Sequence, residues 1–276
     1  MNTIYKCFQG GKTKALTMSY DDGREYDRRL IEIFNKYNIK GTFHLNSNTY
    51  KEEDSINIKK YGRRIHISEF PEVYKGHEVS CHTVDHIPLD MCPLTQAVTQ
   101  VSEDRKSLET VMKYPVRGLS YPYGSYNNEI KRMLPHIGIE YSRAVDITNN
   151  FEIPDDFYEW KGTCRHVCDN LMDLCDEFIN INKKNRLSLM YVWGHSYEFE
   201  RDGNWDIIER FCKKVGNRDD IWYATNIEIV DYLKAFDNLK FSFDGSFVYN
   251  PNFISVWLNV NDNLYEIKGG DTVYFN

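Results

Sequence analysis

The sequence predicts an α/β protein, with a parallel sheet of about seven strand–helix units closed into a (β/α)7-type barrel and followed by a small antiparallel β appendage. Three observations predict it. Short apolar runs alternate with amphipathic segments from Ala15 to Phe236, several of those runs end in polar or glycine-containing loops, and beyond Asp237 the apolar spacing changes to period two. With 41% hydrophobic and 14% aromatic residues the chain has the apolar mass for a large core. Its 276 residues fit one barrel, drawn as 1–237, and an appendage, drawn as 238–276. Fewer than 40 residues are hardly stable alone, so the appendage is expected to pack on the barrel.

The elements follow in order. A run from Ala15 to Tyr20 reads as a strand, and Leu30, Ile31, Phe34 and Tyr37 at helical spacing make the helix after it. Strand Gly41 to Leu45, short helix Ser68 to Tyr74, strand Glu78 to Cys81 and the long helix Leu94 to Met112 continue the alternation. Strand Val116 to Tyr121, helix Asn128 to Leu134, strand Ile139 to Ser142 and helix Leu171 to Asn180 come next. The last units are strand Leu187 to Trp193, helix Trp205 to Val215, strand Ile221 to Tyr223 and helix Asn226 to Phe236. The polar stretch Lys51 to Arg64 reads as an insertion loop. In the appendage, Phe241, Phe243, Phe247 and Tyr249, then Val256, Leu258 and Val260, alternate as strands do, with a hairpin expected at Asn261-Asp262-Asn263.

Composition excludes several classes of function. There are 41 acidic against 34 basic side chains, a formal charge of -7, and no Lys/Arg-rich block, so nucleic acid is not an expected partner. No window approaches the ~18 apolar residues of a membrane helix, and the amino-terminal stretch lacks the apolar run of a secretory signal, which points to the cytoplasm. The seven cysteines contain no C-x-x-C pair and read as reduced thiols. Cys164, Cys168 and Cys175, with His166 among them, match no common zinc spacing and are expected to be packed.

In such barrels functional groups sit after the carboxyl ends of strands, and four segments lie there. Asp21-Asp22-Gly23 follows the first strand; neighbouring side chains on extended backbone point apart, so one carboxylate can face a metal and the other a water, although the same triplet also makes ordinary turns. His82-Thr83-Val84-Asp85-His86 follows Cys81. Histidines at i and i+4 share a face of a helical turn, about 6 Å apart along its axis at ~1.5 Å rise per residue, a gap two ligands of one ion can bridge. With an aspartate from the first segment they make a His-His-carboxylate set that leaves coordination positions open for water and substrate. In Ser120-Tyr121-Pro122-Tyr123-Gly124, Pro122 and Gly124 favour a tight turn that presents the Tyr123 amide at the barrel mouth. Trp193-Gly194-His195 ends another strand, where His195 is either a proton donor or a hydrogen-bonded structural imidazole.

Taken together and in this order, these segments resemble the polysaccharide deacetylases of carbohydrate esterase family 4, the NodB-like fold, over about residues 15 to 235. The resemblance implies a distorted barrel and a metal-dependent hydrolase that removes acetyl groups from N-acetylated or O-acetylated carbohydrate. It assigns Asp22, His82 and His86 to one divalent metal ion, with zinc the first choice and cobalt, nickel or manganese as alternatives. It makes Asp21 the general base, His195 the general acid, the Tyr123 amide an oxyanion donor, and Glu159 the acid that orients the histidine. Trp160 and Trp193 would narrow the pocket that holds the acetyl methyl. Tyr20, Tyr121, Tyr123, Tyr126 and Tyr197 are candidates for stacking on sugar rings.

Departures are visible. The arginine that supports the base in the family falls on Ser120, with Arg117 and Arg143 nearby as replacements. Ser196 stands where an acid usually follows the histidine, and Glu198 and Glu200 lie close. Two other readings keep the fold: a hydrolase of small cyclic amides or ureides, and an inactive carbohydrate-binding relative.

Overall fold

The computed structural model describes residues 2–49 and 54–275. After a short first strand, β1 (Ile4–Cys7), come the parallel strands β2 (Lys14–Asp21), β3 (Gly41–Leu45), β4 (Glu78–Cys81), β5 (Gly118–Ser120) and β6 (Tyr141–Ile147). They continue through β7 (Trp160–Gly162), β8 (Cys164–Arg165), β9 (Ser188–Gly194) and β10 (Ile221–Tyr223). The sheet order is β7-β6-β5-β4-β3-β2-β9-β8. Because Thr163 alone separates β7 from β8, the two ends of the sheet are one continuous stretch of chain. Its first half pairs with β6 and its second with β9, and Thr163 N donates to Tyr191 O at 2.7 Å. The sheet therefore closes into a distorted α/β barrel, as expected.

One stave differs from expectation. Ile221–Tyr223 was the natural seventh strand by its apolar run, yet it pairs only with Lys14–Leu16, at the start of β2. The closing stave is Trp160–Arg165, too short and broken for a periodic signal: Trp160 and Gly162 are buried while Lys161 is exposed. Lys51 to Arg64 is not simply a loop either. Asp54 caps a helix, Ser55–Tyr61, by accepting from Asn57 N at 2.7 Å; residues 50–53 lie outside the described residues.

The helices between strands bury one face each. In Asp27–Lys36 that face is Leu30, Ile31 and Phe34, in contact with a core that includes Tyr20 and Phe43; each such side chain taken fully out of water contributes roughly 1.5–3 kcal/mol. Asn127 and Thr225 start the helices Asn128–Met133 and Asn226–Asp237 by accepting from free backbone N–H groups of the first turn.

The C-terminal strands β11 (Lys240–Phe241), β12 (Phe247–Tyr249), β13 (Val256–Val260), β14 (Asn263–Ile267) and β15 (Thr272–Tyr274) form two antiparallel sheets, β11-β12-β15 and β1-β13-β14. Asn261 and Asp262, both at positive φ (51° and 64°), turn the expected hairpin. The chain's first strand thus lies in the second of these sheets. Tyr232, on the last barrel helix, ties the layers by donating to Cys7 O at 2.8 Å and accepting from Trp257 N at 3.0 Å.

Buried His77 links β3 to the start of β4. Its Nδ1 accepts from Gly41 N at 3.0 Å, a role only the neutral ring can fill. Burial, then the Lys40 ammonium, pushes its pKa from 6.5 down to about 4. The unfolded chain therefore takes up a proton that the folded one refuses, so this contribution is full above pH ~6.5 and is lost as pH falls toward ~4. Between pH 7 and 5 the wild type is expected to lose about 1–2 kcal/mol more unfolding free energy than His77→Gln, read from urea unfolding at each pH. Equal losses in the two proteins would contradict this.

Candidate active site

The last residue of β2 and the one after it point different ways. Asp21 faces the barrel interior and is 2% exposed. Asp22 sits at φ 80°, in the left-handed region, with its N donating to His44 O at 3.0 Å, and its carboxylate swings out to the mouth. There Asp22 Oδ1 lies 3.6 Å from His82 Nε2 and 3.6 Å from His86 Nε2. One ligand atom from each of the three residues falls within 4.8 Å of the others. Tetrahedral ligands about 2.0–2.2 Å from a zinc-sized ion stand roughly 3.3–3.6 Å apart, so the two separations from Asp22 match those of a divalent-cation site.

The histidines do not share a helical turn. His82 to His86 is a loop in which Thr83 and His86 both have positive φ (65° and 55°), and the imidazoles converge through that bend, with centroids 4.7 Å apart. Asn46 holds the loop by donating to His82 O and Thr83 O at 2.6 and 2.8 Å. Asp104 accepts from His82 N and from Ser47 N at 2.9 and 2.8 Å. His82 Nδ1 lies 2.8 Å from Ser120 O; a carbonyl only accepts, so Nδ1 carries a hydrogen, and in the neutral ring the lone pair is then on Nε2, toward Asp22. Burial pushes the His86 pKa down to about 4, which leaves that ring neutral and able to ligate at neutral pH.

Asp21 is held by Arg143. The guanidinium Nη2 donates to Asp21 Oδ2 and to Ser120 Oγ, and Ser120 Oγ also donates to Asp21 at 3.2 Å. Ser120 and Arg143 are register partners on β5 and β6, so the supporting cation comes from the strand next to the one where the family resemblance places it. Arg117 is engaged elsewhere, with Asp231 and Glu140. Burial alone would raise the Asp21 pKa, but Arg143, then His82, His44 and His195, hold its carboxyl well below the usual carboxylate range. Its Oδ1 is buried with no hydrogen-bond partner among the described residues, and the residue lines the cavity at the barrel mouth.

That cavity, of about 810 Å³, is lined by both aspartates, both histidines, Tyr123, Trp193 and His195, with Asn57 and Tyr61 of the helix Ser55–Tyr61 as a further wall. Tyr123 has φ 59° and is 69% exposed, its ring 4.6 Å from that of His86. Trp193 packs between Arg143 and Arg165, 4.2 and 5.0 Å from its ring. Asp22, His86 and Tyr123, which line the cavity, and buried Thr83 in the loop between the histidines are all non-glycine residues at positive φ; Thr83 is β-branched, for which this conformation is a genuine outlier, and such strain of about 1–3 kcal/mol per residue concentrates at functional sites.

Two expected site residues lie elsewhere. Glu159 accepts from Lys131 at 3.0 Å and pairs with Lys161 at 3.4 Å; Glu198 Oε2, not Glu159, stands by His195 Nδ1, at 3.4 Å. Trp160 is 1% exposed among Tyr141, Phe157 and Tyr191 and borders a separate cavity of about 450 Å³. The i, i+3 spacing of His195 and Glu198 at a helix start was the sequence signal for the second acid.

Residues 9–142 match the family described as polysaccharide deacetylase. No curated protein matches the chain. A solved structure from Mycobacterium smegmatis, described as a polysaccharide deacetylase, is 15% identical over 86% of this chain and 96% of that one, with a TM-score of 0.57. A mutant of a CE4 family pseudoenzyme with restored enzymatic activity, whose wild type is from Bacillus anthracis, is 15% identical over 82% of this chain and 70% of that one, with a TM-score of 0.50. The Streptococcus pyogenes deacetylase PplD, solved in complex with acetate, is 16% identical; the match spans 47% of this chain and 55% of that one, with a TM-score of 0.41. The family match and the likeness of fold meet the expectation of a NodB-like polysaccharide deacetylase.

Replacing Arg143 by methionine would leave the Asp21 carboxylate buried without its cation, and the expected loss is about 3–5 kcal/mol in urea unfolding at neutral pH. Adding Asp21→Asn to Arg143→Met should recover most of that loss, because the orphan charge is gone. A loss below about 1 kcal/mol in the single variant, or no recovery in the double, would contradict the assignment.

Proposed function

We propose that this chain, whose residues 9–142 match the polysaccharide deacetylase family, is a metal-dependent hydrolase that removes acetyl groups from N-acetylated, or alternatively O-acetylated, carbohydrate and releases acetate. One observation carries the reading: Asp22, His82 and His86 converge beside a second, buried aspartate with a free oxygen, in a cavity that His195 also lines. The N,N,O donor set suits zinc best and also cobalt, nickel or manganese. When bound, such an ion polarises the acyl carbonyl and makes water acidic near neutral pH.

The chain's own residues would do the rest. Asp21, ionised by its pairing with Arg143, accepts the proton of the attacking water through Oδ1. The Tyr123 amide, in a turn bent by Pro122 and Gly124, donates to the developing oxyanion. His195 gives its proton to the departing nitrogen, a poor leaving group as its anion. Burial disfavours charge on this ring, but Glu198, Asp22 and Asp21 outweigh it and hold its pKa above the ordinary imidazole value, which favours the proton-bearing form. Trp193 walls the acyl pocket and the Tyr123 ring offers a face to the sugar. No helix of the described residues is long and apolar enough to cross a membrane, and all seven cysteines are free, which supports work in a reducing compartment such as the cytoplasm.

Acetate release from N-acetylglucosamine oligomers and acetylated xylan tests the reading. Release is expected to stop with a chelator and return with added zinc or cobalt. Asp21→Asn should keep its metal and lose turnover by about 10²–10⁴-fold. Metal-loaded protein that frees no acetate, but opens small cyclic amides, would replace the reading; a fully active Asp21→Asn would remove Asp21 as base.

A further inference from the structure

Behind His195 lies a cluster that the deacetylase motifs do not contain. Glu198, in the first turn of the helix Ser196–Asp202, is 7% exposed. Its Oε2 accepts from His195 N at 3.4 Å and lies 3.4 Å from His195 Nδ1, which has no hydrogen-bond partner among the described residues, a separation of the kind that often tightens only with substrate bound. The closing stave supplies the opposite side. Arg165 Nη2 donates to both carboxylate oxygens, at 2.7 and 3.0 Å, and His166 Nε2 lies 3.3 Å from Oε2.

His166 is fully buried and clamped between two rings, Tyr20 at 5.5 Å and 12° and Phe199 at 4.1 Å and 29°. Gly194 makes room for it, since a Cβ there would come within 2.0 Å of His166 Nδ1. A buried imidazole with so little tolerance for displacement, aimed at the oxygen that also faces the mouth histidine, is a costly arrangement for packing alone.

We propose that Glu198 is the positioning residue for His195, holding Nδ1–H so that Nε2 is the nitrogen presented to the leaving group, and that Arg165 and His166 hold Glu198 in turn. The proposal rests on the deacetylase reading for the purpose of the proton, but not for the geometry. A carboxylate fixed by a guanidinium stays ionised, so it orients the imidazole and favours its protonated form without taking the proton itself. The other charged and titratable groups around this ring are Asp21 and Asp22 from the end of β2, His86 from the loop after β4, Tyr197 from its own helix with ring centroids 5.1 Å apart, and Arg165 and His166 at the end of β8. Glu198 itself can be made neutral without touching the proposed metal ligands or the base.

The test pairs kinetics with a readout that needs no activity. Glu198→Gln is expected to lower kcat about 10–100-fold with KM within two- to three-fold and with bound zinc unchanged, and to move the alkaline limb of the kcat profile to lower pH. His166→Phe keeps the ring stack and is expected to shift both in the same direction by a smaller amount. In 15N-histidine-labelled protein, long-range 1H–15N NMR should show the His195 ring losing its proton at a pH lower by at least about half a unit in Glu198→Gln. An unchanged kcat profile together with an unmoved ring titration would overturn the proposal. A shifted ring titration in a protein that frees no acetate would keep the positioning role and overturn the deacetylase reading instead.

Discussion

Everything at the barrel mouth depends on one buried ion pair. Asp21 ends the central strand of a closed sheet, where a lone carboxylate would cost several kcal/mol, and Arg143 reaches it from four staves away across the interior. The pairing is possible because β5 carries a serine, not a larger residue, at the register position beside Arg143, so the guanidinium passes the Ser120 hydroxyl and touches it on the way. The other face of the same guanidinium stacks on Trp193 of β9. One side chain therefore links β2, β5, β6 and β9 at the level where the proposed chemistry occurs, and closure of the barrel through Trp160–Arg165 keeps those strands at that separation.

With Asp21 committed inward, Asp22 is left to face outward, and the backbone bears the strain of turning it. The loop that carries the left-handed residues Thr83 and His86 is held at its start by contacts from outside the mouth. Asp104 fixes the backbone of His82, Asn46 the carbonyls of His82 and Thr83, and Ser120 O the His82 ring. The same closing stave that shuts the barrel carries Arg165 and His166 to Glu198, so the groups on the base side and on the acid side are fixed by strands of one ring.

Much of this was legible in the sequence because strand ends in an α/β barrel are punctuated by short polar motifs that periodicity locates. Asp21, Asp22, His82, His86, Tyr123, Trp193 and His195 all border one cavity, as their positions after successive strands suggested. What escaped the sequence depends on register and on tertiary contact. Arg143 sits mid-strand, and only the pairing of β5 with β6 shows that it replaces a side chain expected at position 120. Glu159 looked right by its place beside Trp160, but Lys131 and Lys161 neutralise it on the outside of the barrel, while Glu198 reaches His195 through a helix, Ser196–Asp202, that follows β9 too closely to be read as a separate element. Trp160 belongs to the closing stave and is consumed by the core. The helical turn expected for the two histidines gave way to a strained loop because Asn46 competes for the carbonyls a helix would have used.

The proposed division of labour between the neighbouring aspartates is tested most directly by anomalous X-ray diffraction from crystals grown with zinc. The expected result is one anomalous peak bonded to the Asp22 carboxylate, His82 Nε2 and His86 Nε2 at about 2.0–2.2 Å, with Asp21 beyond bonding distance and still paired to Arg143. A peak bonded to Asp21 in place of Asp22, or no ordered ion among these three residues, would contradict it.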